Sequence, residues 1–133
     1  MLFSQLNRQI SRYKIRSGDS CVLIKSEVLD EILAIALNSV KVDEQWYLER
    51  YQDVKAAIAA GSVKTAKQHF VKYGYFEGRL PRPIEVDEVF YLREYPDVRA
   101  AIESGEIPDA TTHFHTAGAR EGRIPYHGFS LFD

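Results

Sequence analysis

The chain has a single cysteine, Cys21, among 133 residues. That excludes an intramolecular disulfide framework and a cysteine-only zinc site. No apolar run approaches the roughly 20 residues needed to cross a bilayer as a helix. Neither sign of charge is in excess. Seventeen Lys and Arg against 19 Asp and Glu leave a formal charge of −2, so the chain does not grip nucleic acid by bulk charge. Gly-x-Ser-x-Gly, phosphate-loop and Gly-x-Gly-x-x-Gly motifs are all absent. The first residues mix Arg8, Arg12, Lys14 and Arg16 among apolar neighbours, without a continuous apolar stretch or a small-residue cleavage site. They do not read as a secretory signal, and the expected location is cytoplasmic. Hydrophobic residues make up 45% and charged residues 27%, the balance of a folded chain of one domain or two very small ones.

The dominant feature is an internal repeat. Residues 42–81 and 86–125 align without a gap at an offset of 44, and 20 of the 40 positions are identical. In the second copy Asp87 is placed to cap a helix, with Glu88 in its first turn. Phe90, Tyr91 and Glu94 or Tyr95 then run at helical spacing. Pro96 ends that helix and suits the first position of the next, residues 97–104. Val98, Ala101 and Ile102 form the apolar stripe of this second helix, and Gly105 is its expected left-handed stop. Pro108 is expected to open a third helix with the stripe Ala110, His113, Phe114 and Ala117, ending at Gly118. A Glu121-Gly122-Arg123 turn and Pro125 close the unit. The first copy follows the same plan, with Gln52 and Lys64 in place of the two prolines. Its third helix, about 64–73, is more basic, and its Tyr75-Phe76 is more aromatic than Ala119-Arg120.

Ahead of the repeats, Leu2, Phe3, Leu6, Ile10 and Tyr13 suggest one side of a helix over 1–15. Ser17 to Ser20 reads as a loop, and Cys21 to Ile24 as strand or extended chain. Ser26 is the expected cap of a helix over 27–37 with the stripe Val28, Leu29, Ile32, Leu33 and Leu37. Residues 126–133 form an aromatic tail that either frays or docks.

Few residues carry a chemical signal of their own. His69 and His113 recur at one repeat position, which favours a role in the unit, hydrogen-bonding a loop carbonyl, over catalysis. His113, His115 and His127 lack the i, i+3 or i, i+4 spacing of helical metal ligands. Asp43, Asp53, Asp87 and Asp97 fit helix caps better than a calcium cage, because no glycine-bearing acidic loop is present. Arg79 and Arg123 are expected to bind Asp53 and Asp97 of their own units or exposed helix-end carbonyls, although a guanidinium can also fork onto a ligand carboxylate, phosphate or hydroxyl. Cys21 has no fixed base beside it and reads as an inert thiol. The aromatic residues divide between core and surface. Tyr75 and Phe76, unmatched in the second repeat, are the better candidates for a partner surface.

Phe90-Tyr91-Leu92, Tyr95-Pro96-Asp97-Val98, His113-Phe114, Gly118 and Glu121-Gly122-Arg123 resemble a short bacterial helical repeat of the pattern YYL…YPDV…HF…G…EGR.P. Repeats of that kind are attached to glycosyltransferases and other surface-polysaccharide proteins, and to large secreted calcium-binding proteins. The resemblance covers residues 42–125 and implies an accessory or interaction module with no activity of its own.

Together these readings predict an all-α chain: two tandem three-helix repeats, 41–83 and 84–127, preceded by a helical segment, 1–40, and followed by a tail, 128–133. The first segment would cap the array or join two chains into a homodimer. The expected function is a non-catalytic, protein-binding module accessory to bacterial surface-polysaccharide biosynthesis, needing no cofactor or metal. The alternative is a carbohydrate-binding module using exposed aromatics. Trp46, Tyr75, Phe76, Arg79, Arg120 and Arg123 are the candidate partner-binding residues. The partner is expected to be a protein or a second copy, or else a glycan; nucleic acid and an integral membrane segment are not expected.

Overall fold

The computed structural model describes residues 7–14 and 17–132. The chain divides into two compact units, Met1–Ser39 and Val40–Asp133. The first unit overturns the purely all-α expectation. Strand β1, Ile10–Lys14, pairs antiparallel with β2, Ser20–Ile24, in the register Ile10 opposite Ile24 and Arg12 opposite Val22. Ile10 and Tyr13 therefore lie on a strand, and the expected helix over 1–15 does not form there; Leu2, Phe3 and Leu6 fall outside the described residues. The physical reason is local. Five residues, Ile-Ser-Arg-Tyr-Lys, are too few to carry a β period, and Gly18 at φ +86° lets the chain turn back so that they pair with Ser20–Ile24. Helix α1, Ser26–Leu37, follows, with Lys25 rather than Ser26 at its N-cap position. It closes when the Asn38 side chain donates to the carbonyl of Ala34 at 2.8 Å.

The second unit contains both repeats. The first comprises α2, Glu44–Arg50, α3, Gln52–Ala59, and α4, Ala66–His69. The second comprises α5, Glu88–Glu94, α6, Pro96–Glu103, and α7, Ala110–His113. The third element departs from the expected regular helix of two to three turns. It is one α-turn that widens into a π-helix, at Phe70–Gly74 in the first repeat and Phe114–Gly118 in the second. The amides of Tyr75 and Ala119 accordingly donate five residues back, to Phe70 and Phe114, at 2.9 and 3.0 Å.

Four caps start these helices as side-chain chemistry requires. The carboxylates of Asp43, Asp87 and Asp109 and the hydroxyl of Thr65 each accept a backbone N–H three residues on. Asp109, expected inside the third helix, is thus its cap. Each repeat also closes on itself: the amide of Asp43 donates to the carbonyl of Pro81, and that of Asp87 to Pro125, both at 3.0 Å.

The core of each repeat is built around one tyrosine. Tyr47 and Tyr91 are fully buried, beside Phe70 and Phe114 from the third element and Val54 and Val98 from the second helix. Leu80, at the end of the first repeat, and Ile84, just beyond it, join the cluster formed by Tyr91, Val98, Ala110 and Phe114. The repeats therefore share apolar surface, as stacked units must. Tyr126 and Phe129 of the tail pack against the same cluster.

The tyrosine hydroxyls fix the third element. Tyr47 Oη lies 3.1 Å from His69 Nδ1, and Tyr91 Oη lies 3.0 Å from His113 Nδ1. A Cβ on Gly74 or Gly118 would stand 2.2 Å from the same hydroxyl. Only glycine admits this approach. Gly118→Ala should destabilise the fold by about 1–3 kcal/mol, the range for overpacking a core. Tyr91→Phe, which removes the obstructing oxygen, should recover part of that loss when added to Gly118→Ala. A double-mutant cycle by denaturant unfolding measures the coupling, and strictly additive costs would contradict the contact.

Candidate functional site

The Glu-Gly-Arg turn of each repeat builds a clamp. Gly78 and Gly122 sit at φ +68° and +74°, a left-handed conformation that turns the chain back over the second helix. Arg79 then donates through Nη1 and Nη2 to the two oxygens of Asp53, at 2.9 and 2.6 Å, and through Nε to Glu77 at 2.6 Å. Arg123 repeats the pattern on Asp97, at 2.9 and 2.7 Å, and on Glu121 at 2.6 Å. Each guanidinium also lies over a tyrosine ring, Tyr51 or Tyr95, with its carbon 4.8 Å from the ring centroid. The hydroxyls of those tyrosines accept the amides of Leu80 and Ile124 at 3.0 and 2.9 Å. The guanidinium–Asp contact expected from the sequence is present in both units. Most of the hydrogen-bonding capacity of Arg79 and Arg123 is spent inside their own repeat.

Where the repeats meet, a groove of about 330 Å³ opens. Its apolar lining comes from Tyr75 and Leu80 of the first repeat, Phe114 and Ala119 of the second, and Phe129 and Leu131 of the tail. Arg79 and Arg123 stand at it with their inner hydrogen bonds made. Phe76, 54% exposed, packs edge-on against Tyr75 with ring centroids 5.4 Å apart. Arg120 lies across Gly78, where its Cγ would stand 3.2 Å from a Cβ on that glycine. Its guanidinium makes no ion pair among the described residues. Five of the six candidate residues thus gather at one inter-repeat face: Tyr75, Phe76, Arg79, Arg120 and Arg123. The sixth, Trp46, is elsewhere. It lines a second cleft with Arg50, Pro83, Thr111 and His115. Sequence reasoning passed over Arg50, Pro83 and the threonines. Their available signal was divergence between repeats, since Arg50, Thr111 and His115 face Glu94, Lys67 and Val71 in the alignment.

The histidines do not converge. His69 and His113 are held by tyrosine hydroxyls, not by the loop carbonyls expected. His115 Nδ1 donates to the carbonyl of Thr111 at 2.9 Å, and its Nε2 accepts the amide of Ile84 at 3.2 Å. His127 meets the ring of Phe90. Among the described residues no group of three His, Cys, Asp or Glu side chains could hold a metal ion, and no buried side-chain nitrogen or oxygen lacks a partner. No described helix is long and apolar enough to cross a membrane. Comparison of the chain with protein-family models, with curated proteins and with solved structures returned no match.

Burial raises the Tyr47 hydroxyl and pushes that of Tyr91 up to about 12, so both remain neutral hydrogen-bonding groups. Burial, with the nearby Arg79 charge, lowers His69 below 6.5. The guanidinium hydrogen bonds of Arg79 and Arg123 hold Asp53 and Asp97 below the ordinary 3.8. All three depressed groups lend stability that is present above their unfolded values. It is lost as pH falls through the lowered folded values. Unfolding midpoints should drop between about pH 7 and pH 5, and the drop should shrink in His69→Gln. A second drop, below about pH 4, should shrink in Asp53→Asn combined with Asp97→Asn. Denaturant titrations across pH check both, and variant slopes equal to those of the parent chain would contradict the assignment.

Proposed function

We propose that this chain is a non-catalytic, protein-binding module, and that its receptor is the groove between the two repeats. One observation carries the reading: Tyr75, Arg79 and Arg123 line a single apolar groove, Phe76 and Arg120 flank it through Tyr75 and Gly78, and the two lining arginines are already paired within the fold. The occupant of best fit is an extended protein segment. An aliphatic or aromatic side chain would enter between Tyr75, Phe114 and Phe129, and an adjacent acidic side chain would reach Arg120. Phe76 would widen the apolar contact, as aromatic anchors do at interface centres. The clamps of Arg79 and Arg123 would hold the walls rigid, lowering the ordering cost of binding. The resemblance of the repeat to modules of surface-polysaccharide proteins supports a setting in bacterial polysaccharide assembly.

Affinity capture from the native cells tests this reading. Proteins retained by the parent chain should be lost with Phe76→Asp or Tyr75→Ala, and kept with Val89→Asp, a control at a residue 80% exposed on α5. An identical retained set for all four chains would overturn it.

Self-association is a second mode with its own support. The N-terminal unit exposes Val22 and Leu23 of β2, at 54% and 63%, and Ile35 of α1, at 60%. Val22 and Leu23 point to opposite faces of the hairpin. A free two-stranded hairpin is marginal in water, and a second copy would cover it. Sedimentation should show a dimer that Leu23→Glu or Ile35→Glu dissociates; a parent chain that remains monomeric at about 100 µM, a concentration at which a dimer of ordinary micromolar affinity forms, would exclude this mode.

A further inference from the structure

The cleft at Trp46 is built differently from the groove. It measures about 370 Å³, within the range of small-ligand sites. One wall is Trp46 and Arg50 on α2, and the other is the third element of the second repeat, through Thr111, Thr112, His115 and Thr116, with Pro83 between them. The site exists only because the two repeats are stacked.

Three observations point to a ligand. First, all six lining residues that fall within the aligned repeats differ from their counterparts: Trp46 from Phe90, Arg50 from Glu94, and the four residues of the third element from Lys67, Gln68, Val71 and Lys72, while Pro83 lies in the link between the repeats. Residues that serve the scaffold recur here, as Tyr47, His69, Gly74 and Arg79 do. Those of the cleft do not recur, so a single repeat does not require them; Trp46 also packs against the core cluster of the second repeat. Second, the lining offers donors without partners. The indole N–H of Trp46 and the hydroxyl of Thr111 make no hydrogen bond within the described residues. Arg50 commits only Nη2, to the carbonyl of His115 at 2.5 Å. Third, the charge is one-sided. No carboxylate lines the cleft, and the guanidinium of Arg50, 5.3 Å from the centroid of the indole, is its fixed cation. His115 is already committed on both ring nitrogens and positions the wall. Thr116 donates to the carbonyl of Thr112 at 2.7 Å and does the same.

A ligand for such a site carries acceptors, a negative charge and a flat apolar face. We propose that the cleft binds an acidic saccharide residue, a pyranose bearing a carboxylate. The C–H face of the ring lies against the indole, the carboxylate meets Arg50, and ring hydroxyls accept from Thr111 and the indole N–H.

Trp46 is the only tryptophan, so its fluorescence reports this cleft alone. The parent chain is titrated with D-glucuronate, D-glucose and acetate at matched ionic strength. Glucuronate should give a saturable change and bind about tenfold or more tightly than glucose, the difference one charge-assisted hydrogen bond makes. Arg50→Gln should abolish that preference, and Thr111→Val should weaken both sugars, with amide NMR spectra verifying that each variant is folded. The comparison of sugars on the parent chain stands even if Arg50→Gln loosens the repeat junction. The proposal is overturned if glucuronate gives no saturable change, or if glucose binds as well. It is overturned equally if acetate matches glucuronate, or if a peptide ending in a free carboxylate binds more tightly than the sugar.

Discussion

The structure of each repeat depends on one phenol. Tyr47 and Tyr91 leave the first helix, run through the buried core of their repeat and end on a histidine of the third element. A buried hydroxyl without a partner would cost about 1–3 kcal/mol, so that histidine is a requirement of the fold. The ring of the same tyrosine fills the core beside Phe70 or Phe114. Its oxygen occupies the space a side chain would need at Gly74 or Gly118. One residue thus fixes the identity of three others. Widening the third element into a π-turn carries the glycine past the hydroxyl, and the chain leaves on the path that brings the Glu-Gly-Arg turn over the second helix. The amides of Arg79 and Arg123 bond the carbonyls of those glycines, at 2.8 and 2.9 Å, which ties the clamp directly to the phenol.

The clamps contribute geometry more than energy. Asp53 and Asp97 are largely exposed, and an exposed pair is worth little in water. What the bidentate fork supplies is direction. It sets each arginine over a tyrosine ring, and that tyrosine accepts the next backbone amide. Carboxylate, guanidinium, ring and amide form a chain of contacts that ends at Leu80 or Ile124. Leu80 belongs to the core shared with the second repeat, so the first clamp also sets how the repeats meet. In the proposed protein-binding role, this rigidity would keep the groove at a fixed width.

Much of the brick was legible because duplication marks what a fold needs. Asp43 and Asp87 read as caps, and Pro96 as the first residue of a helix. The pairing of Arg123 with Asp97, like that of Arg79 with Asp53, was expected as an arginine tied to the aspartate of its own repeat. What was not legible has physical causes. A five-residue strand has no period long enough to outweigh a scattered helical stripe, so the hairpin was hidden inside an expected helix. A π-turn has no hydrophobic signature, because it shifts the hydrogen-bond partner by one residue without changing the apolar side. The partners of His69 and His113 were misjudged because a tyrosine 22 residues upstream is remote in sequence and adjacent only after the first and third elements pack.

The two inter-repeat sites differ in how they can arise. The groove at Tyr75 and Phe114 uses core residues at its margin, so its shape is largely inherited from packing; among its repeat residues Tyr75, Leu80 and Ala119 differ from their counterparts. Apart from Pro83 in the link, the cleft at Trp46 is made of positions at which the copies disagree. In a duplicated fold, residues serving the unit are constrained twice, once in each copy. Residues serving a ligand at the junction are constrained once, because the two sides of a junction come from different faces of the repeat. Trp46 lies on a first helix and Thr111 on a third element, and neither has a counterpart facing a cleft of this kind within its own repeat. Two stacked copies therefore suffice to make one asymmetric site from a symmetric plan. Disagreement between the copies, read onto the surface where they meet, locates that site better than any single residue type.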